Sequence, residues 1–190
     1  MDLAEALRRR RMFRHFSGAA VASDALDRIV AAGLSAPTAG GTRGTALVTI
    51  TDPRRIAAVA AACGEADWVS RGFDPWLSTA GAHLVLCVEP EVYRERYSHP
   101  DKDPGALETV PWWWVDGGAA LMAILLAAVA EGLGAGFHGG HRAAAIRPLL
   151  GIPDAVVVVG IVTIGHPAPP RRARSRRHQA RPGRIHHETW

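Results

Sequence analysis

The sequence has 190 residues, 48% of them hydrophobic and 21% charged, a balance that argues against disorder. At about 100–200 residues per domain it is one domain, long enough to bury roughly 70% of its unfolded surface without disulfides or structural metals. The net charge of +4 is concentrated at one end: residues 171–190 hold seven arginines and one acid, Glu188, leaving fifteen bases against seventeen acids in the other 170. A near-neutral body with a basic arm is not the pattern of a basic nucleic-acid-binding domain.

The run Asp2 to Arg11 is a short helical candidate with Leu3 and Leu7 on one face. It lacks an apolar h-region and does not read as a signal peptide. Ser23 is expected to N-cap a helix whose Asp24 and Asp27 suit the positive end of its dipole, with Leu26, Ile29, Val30 and Leu34 on one face. A strand over Ala46 to Thr51 follows. Asp52-Pro53 then caps and opens a helix over Arg54 to Cys63, stopped by Gly64. A second strand covers His83 to Val88.

Val115 to Glu131 is the longest helix expected, ended by Gly132. It is apolar all round, so it should be buried on every side, in the core or in a subunit interface. Its uncharged stretch, Gly117 to Ala130, is 14 residues, short of the roughly 20 of a membrane span. A soluble cytoplasmic protein is expected. A helix over Arg142 to Leu150 contains an awkward Pro148 and stops at Gly151. The last strand runs from Val156 to Ile164. All three strands are continuous aliphatic runs, as strands covered on both faces should be, and the class is α+β or α/β. Cys63 and Cys87 form no CxxC pair and read as buried reduced thiols. The Pro- and Arg-rich segment Pro167 to Arg184 cannot build a core and reads as an extended arm.

Three constellations carry chemistry. In Arg8-Arg9-Arg10-Arg11-Met12-Phe13-Arg14-His15-Phe16, five arginines alternate with apolar residues. Guanidinium forks match phosphate oxygens, so the run reads as an anion site, against a plain solvated basic surface. Ala36-Pro37-Thr38-Ala39-Gly40-Gly41-Thr42-Arg43-Gly44 allows close backbone approach, yet holds neither a dinucleotide fingerprint nor a P-loop. Gly132 to His141 is glycine-rich enough to be a ligand wall made of backbone amides. The His138-x-x-His141 spacing is a weak metal signal with no nearby Glu or Cys. Asp116 and Glu131 read as caps of the helix they flank.

The order of these segments resembles the FMN-dependent nitroreductase family. The stretch Arg10-Arg11-Met12-Phe13-Arg14-His15-Phe16 is similar to its Arg-Arg-Ser-x-Arg-x-Phe opening, and Ala36-Pro37-Thr38-Ala39-Gly40 to its Ala-Pro-Ser-Ala-Gly. Asp116 to Gly134 resembles its Asp-x-(small)-x-Ala helix ending in Gly-Leu-Gly. Leu150-Gly151-Ile152-Pro153, Gly165-His166-Pro167 and the basic tail closing on His186 to Trp190 follow in the family's order.

The resemblance implies an α+β nitroreductase-like fold, a central mostly antiparallel sheet flanked by helices in an intertwined homodimer. Residues 1–170 would be the flavin-binding domain and 171–190 an arm wrapping the partner. It implies FMN as cofactor, with Arg10, Arg11, Met12 and Arg14 at the phosphate and ribityl chain, and Arg174, Arg176 and Arg177 closing over the phosphate. Pro37, Thr38, Ala39 and Arg43 would approach from the partner subunit, and Phe137, His138, Gly139 and Gly140 would lie along the ring. The implied activity is hydride transfer from NAD(P)H, or from a deazaflavin, through FMN N5 to a nitroaromatic, a quinone or a specialised metabolite.

The chain departs from the family where Met12 stands for Ser, and Gly41, Arg43 and Gly44 for Asn, Gln and Pro. Two other readings stand beside this one. One is a family member that has lost its cofactor. The other is a binding protein contacting nucleic acid through Arg171 to Arg184, with strong salt dependence and no flavin. The Trp112-Trp113-Trp114 run is either a wall of the substrate pocket or a packed cluster.

Overall fold

Three aliphatic runs become strands of one sheet. In the computed structural model, which describes residues 1–169 and 183–189, β1 (Thr45–Ile50), β2 (Ala82–Val88), β3 (Gly134–Gly139) and β4 (Val157–Gly165) lie in the order β1-β2-β4-β3. Every neighbouring pair is antiparallel. The helices are α1 (Leu3–Arg9), α2 (Ser23–Leu34), α3 (Pro53–Ala62), α4 (Glu65–Ser70), α5 (Pro90–Tyr97), α6 (Ala106–Thr109), α7 (Trp112–Ala130) and α8 (Ala143–Leu150).

Strand residues alternate between two core layers, because successive side chains point to opposite faces. Val85, Cys87, Val158 and Ile161 pack with Ile56 and Val59 of α3, Ile146 of α8, and Trp76. Leu84, Val162 and Ile164 pack with Leu26 and Ile29 of α2 and with Ile124 and Leu125 of α7. Both cysteines are buried and reduced, and burial pushes each thiol up to about 11.

The helix ends follow local chemistry closely for α3, where Asp52 Oδ1 accepts from the Arg54 and Arg55 N–H groups, Pro53 sits in the first turn, and Gly64 stops the helix at φ 75°. Gly132 and Gly151 likewise take φ of 73° and 65° after α7 and α8. Elsewhere packing moved the ends. Ser23 is the first helical residue of α2, and Ala22 holds the cap position without a side-chain bond. Leu34 at its end is exposed, as are Leu3 and Leu7 on α1.

The longest helix differs in two ways from its expected form. It begins three residues earlier, at Trp112, and only one of its faces is covered: Asp116, Gly117, Ala120, Ile124 and Ala128 are buried, while Trp114, Val115 and Met122 are exposed. At 19 residues and a mean hydropathy of 1.7 it is long and apolar enough to cross a membrane, yet its inner face is built into the layer it shares with α2. Of the two acids only Glu131 is a cap, at the C-cap position, where its N–H donates to the Ala127 and Val129 carbonyls. Glu131 takes two bonds from Arg28, each 2.8 Å, and Asp116 lies inside the helix.

Strand β3 escapes a reading by pattern, since half of Gly-Ala-Gly-Phe-His-Gly has no side chain. The glycines serve close approach. A Cβ at Gly136 would lie 2.2 Å from the Phe13 carbonyl oxygen, and one at Gly134 would lie 2.8 Å from the Phe13 ring.

Candidate active site

The space left by those glycines is taken by the arginine-bearing segment. Met12 bridges Ala135 in parallel, and the Phe13 N–H donates to the Ala135 carbonyl at 2.7 Å. Further on, Phe16 bridges Pro167 and the Ala168 N–H donates to the His15 carbonyl at 2.8 Å. Between these strips runs a groove of about 480 Å³ lined by Arg11 to His15 and by Pro167, Ala168 and Pro169. The Arg14 guanidinium stands 5.3 Å over the Trp76 ring. His15 Nδ1 lies 3.4 Å from Asp74 Oδ2. Among the described residues none of Arg10, Arg11 and Arg14 is paired with a carboxylate. Uncompensated guanidinium groups at a groove can hold an anion.

The glycine-rich wall lies against the same N-terminal segment. In an antiparallel pair the backbone groups of successive residues point alternately to one neighbour and the other. Because the Ala135 carbonyl faces the N-terminal segment, the N–H groups of Phe137 and Gly139 also point off the edge of β3 that β4 does not cover. Behind this edge the His138 ring is buried in a column of rings. Its centroid lies 5.4 Å from Trp68, 6.1 Å from Trp76 and 4.7 Å from His141, stacked on the last at 28°. Gly140 packs so tightly that a Cβ there would meet the Val158 carbonyl oxygen at 2.3 Å.

Glu65 anchors the column. Its Oε1 accepts from the backbone N–H groups of Trp76, Leu77 and Ser78 at 2.7, 2.6 and 3.2 Å, so the turn carrying Trp76 is fixed to α4. His83 donates from Nε2 to the Leu77 carbonyl at 2.9 Å from beneath. Burial holds both imidazoles below their ordinary 6.5, and for His138 the neighbouring charge of His141 adds to the effect.

The sign of this shift sets a pH dependence. Above the unfolded value both states are neutral; below it the unfolded chain takes up protons that the folded rings refuse, so stability falls as pH falls. The thermal midpoint is expected to drop between about pH 7.5 and 5.5. A flat profile across that window would show that the rings are not held neutral.

The third constellation lies elsewhere. Residues 37–43 lead into β1, and β1 and β3 are opposite edges of the sheet, about 14 Å apart over three strand spacings. Here the Ala39 N–H donates to Asp116 Oδ2 at 2.9 Å, and Arg96 Nε donates to the Gly40 carbonyl at 3.0 Å. Arg43 is exposed at φ 56°, and its N–H donates to Thr38 Oγ1 at 3.0 Å. One chain therefore brings Arg10, Arg11, Met12 and Arg14 together with Phe137 to Gly140, and leaves Pro37, Thr38, Ala39 and Arg43 at the far edge. Arg174, Arg176 and Arg177 lie outside the described residues.

Trp112 to Trp114 do not line the groove. Trp113 packs edge-on to Tyr93 with centroids 6.0 Å apart and carries Arg94 at 5.7 Å. Sequence reading passed over Trp76, Glu65 and Tyr93, whose neighbours in the chain give no periodic or motif signal. The Arg-x-x-Arg spacing gave no hint that Arg14 would be carried on a tryptophan 62 positions away.

The nitroreductase family model matches residues 7–166. The chain belongs to the nitroreductase family. A relative from Archaeoglobus fulgidus, whose name pairs NADH dehydrogenase with NAD(P)H nitroreductase, is 28% identical over 185 residues, covering 95% of this chain and 94% of that one. An NADPH-flavin oxidoreductase of Vibrio harveyi is 28% identical over 159 residues, 83% of this chain and 62% of that protein. The fold is that of solved family members, among them an FMN-dependent nitroreductase from Clostridium difficile with a TM-score of 0.69 at 21% identity, covering 91% of this chain and 92% of the other. The two strips flanking the groove and the ring column all fall within the matched span or directly beside it.

Proposed function

We propose that this member of the nitroreductase family is an FMN-dependent oxidoreductase that takes a hydride from NAD(P)H and passes it, in a ping-pong cycle, to a planar electrophilic acceptor such as a nitroaromatic or a quinone. The observation that carries the reading is that Arg11 and Arg14, paired with no carboxylate among the described residues, sit on the segment that lies along the β3 edge off which the Phe137 and Gly139 N–H groups point. A phosphate-bearing ring system needs that pair of surfaces, one for its charge and one for its polar edge. The relatives' names support the cofactor and the donor.

Bound FMN would supply a hydride acceptor and donor at its N5. The protein's part is binding and electrostatics. Arg10, Arg11 and Arg14 would hold the phosphate, with Arg174, Arg176 and Arg177 of the C-terminal arm closing over it. Met12 offers packing but no hydroxyl, so the arginines carry the anion. Donors on β3 favour negative charge on the ring edge and so raise its readiness to accept electrons. No side chain is required as acid or base, since solvent can supply the protons.

The separation of the two sheet edges supports a homodimer. A site using both the groove and residues 37–43 needs a second copy to bring the loop across, and the exposed Trp114, Val115 and Met122 of α7 offer an apolar face for it. In this reading residues 1–170 form the flavin domain and 171–190 the wrapping arm, in a cytoplasmic protein whose α7 is a core helix.

The test is direct. The purified full chain is expected to absorb in the visible range and, on denaturation, to release FMN at about one molecule per chain. Release of a deazaflavin would change the cofactor and keep the site. A colourless protein that also refuses added FMN would overturn the reading.

A further inference from the structure

The loop at the far sheet edge is held from inside by a single carboxylate. We infer that Asp116 is the positioning residue of the Pro37–Thr38–Ala39 loop, acting through the backbone of Ala39 and through Tyr93 to set how the loop is presented to the cofactor of the partner subunit. The inference rests on the function proposed above, and its observations are independent of the groove.

Asp116 is 5% exposed and lies in the first turns of α7. Its Oδ2 accepts from the Ala39 N–H at 2.9 Å and from the Tyr93 hydroxyl at 2.7 Å. A buried carboxylate is costly without donors, and one of these two comes from the loop itself. Tyr93 is fully buried on α5, and its ring fills the space beside Gly44: a Cβ at that glycine would lie 2.5 Å from Tyr93 Cε2. So one aspartate and its tyrosine grip the loop at residue 39 and at residue 44. Burial first, and then the bond to Asp116, push the Tyr93 phenol up; the hydroxyls of Thr42 and Thr45 beside it oppose that rise.

Between the two grips the loop is stiffened. Arg96 holds the Gly40 carbonyl and is itself clamped by Asp101 through bonds of 2.8 and 2.7 Å. The Thr38 hydroxyl takes the Arg43 N–H and keeps that residue at a positive φ, a conformation arginine rarely adopts. The outward surface left by these bonds is Pro37, Gly41 and Arg43, all exposed. Asp116 and Tyr93 do not reach that surface. They determine its shape. A merely space-filling role would be met by an apolar side chain of the same size, which would leave the Ala39 N–H without its acceptor.

Asp116→Asn keeps the shape and removes the charge: an amide oxygen in the place of Oδ2 can still accept from both donors, but more weakly than a carboxylate oxygen. In the full chain FMN affinity, read by quenching of flavin fluorescence, is expected to fall about tenfold, the loss when two charge-assisted hydrogen bonds become neutral ones, with a shift in the absorption band of bound flavin. Tyr93→Phe keeps the ring against Gly44 and removes one donor; a smaller loss in the same direction, about threefold, is expected. Ile124→Val, in the same helix, lowers stability by trimming the core and should leave flavin affinity unchanged.

If Asp116→Asn loosens FMN no more than Ile124→Val does, the inference falls while the proposed function stands. If Asp116→Asn does not fold, Tyr93→Phe decides, and unchanged FMN affinity in that variant overturns the inference. A wild-type chain that binds no FMN overturns the proposed function as well, so the two failures are told apart by the wild-type titration.

Discussion

Arg14→Ala is expected to weaken FMN binding by about 10- to 100-fold, the worth of one or two charge-assisted hydrogen bonds. The guanidinium is exposed at the groove and has no carboxylate partner among the described residues, so its removal leaves no buried charge behind and costs little stability. It stands over Trp76, whose face holds the fork in place before any ligand arrives. Fluorescence titration of the cofactor-free protein measures the loss. Arg14→Lys should recover part of it, since an ammonium keeps the charge and loses the planar fork. Undiminished loading of the alanine variant would remove Arg14 from the phosphate site and shift the weight to Arg10 and Arg11.

Gly136→Ala tests the same site from the strand beneath it. The new methyl group would stand 2.2 Å from the Phe13 carbonyl oxygen, 2.9 Å from Thr163 Oγ1 and 3.0 Å from the Trp76 ring. A backbone atom cannot rotate aside, so the segment carrying Arg11 and Arg14 must lift off β3. A stability loss of about 1–3 kcal/mol is expected from the overpacking, together with a loss of FMN affinity of at least the size seen for Arg14→Ala. Gly139→Ala is the matched control in the same strand. Its methyl group would meet only His141 Nδ1, at 3.9 Å, and the thermal midpoint should barely move. If Gly136→Ala kept both midpoint and FMN affinity, the N-terminal segment would not be lying against β3.

The two substitutions separate holding the cofactor from building its holder. Arg14→Ala removes charge and leaves the groove; Gly136→Ala leaves every charge and displaces the groove. Should both weaken FMN, but only the second lower the midpoint, the phosphate clamp and its strand platform are confirmed as distinct layers of one site. That outcome would also explain why three glycines interrupt a strand whose sequence otherwise offers Ala135, Phe137 and His138.

What the linear order determined is local. Aliphatic runs gave three strands, since a run of that kind is stable only where both faces are covered. Asp52-Pro53 and Gly64 set the ends of α3, because cap chemistry acts within four residues. The arginine run and the glycine-rich wall stood out as a candidate anion site and a candidate backbone wall, and the order of the segments along the chain carried the family. Tertiary structure decided everything that depends on distance through space. It made Gly134–Gly139 a strand by giving it β4 on one edge and Phe13 on the other, contacts no periodicity in a glycine run can announce. Packing covered one face of α7 and left the other bare, which overall apolarity could not divide. It also turned Asp116 from an expected helix cap into the acceptor for a loop 77 residues away, because a carboxylate excluded from water binds whichever donors the fold brings to it.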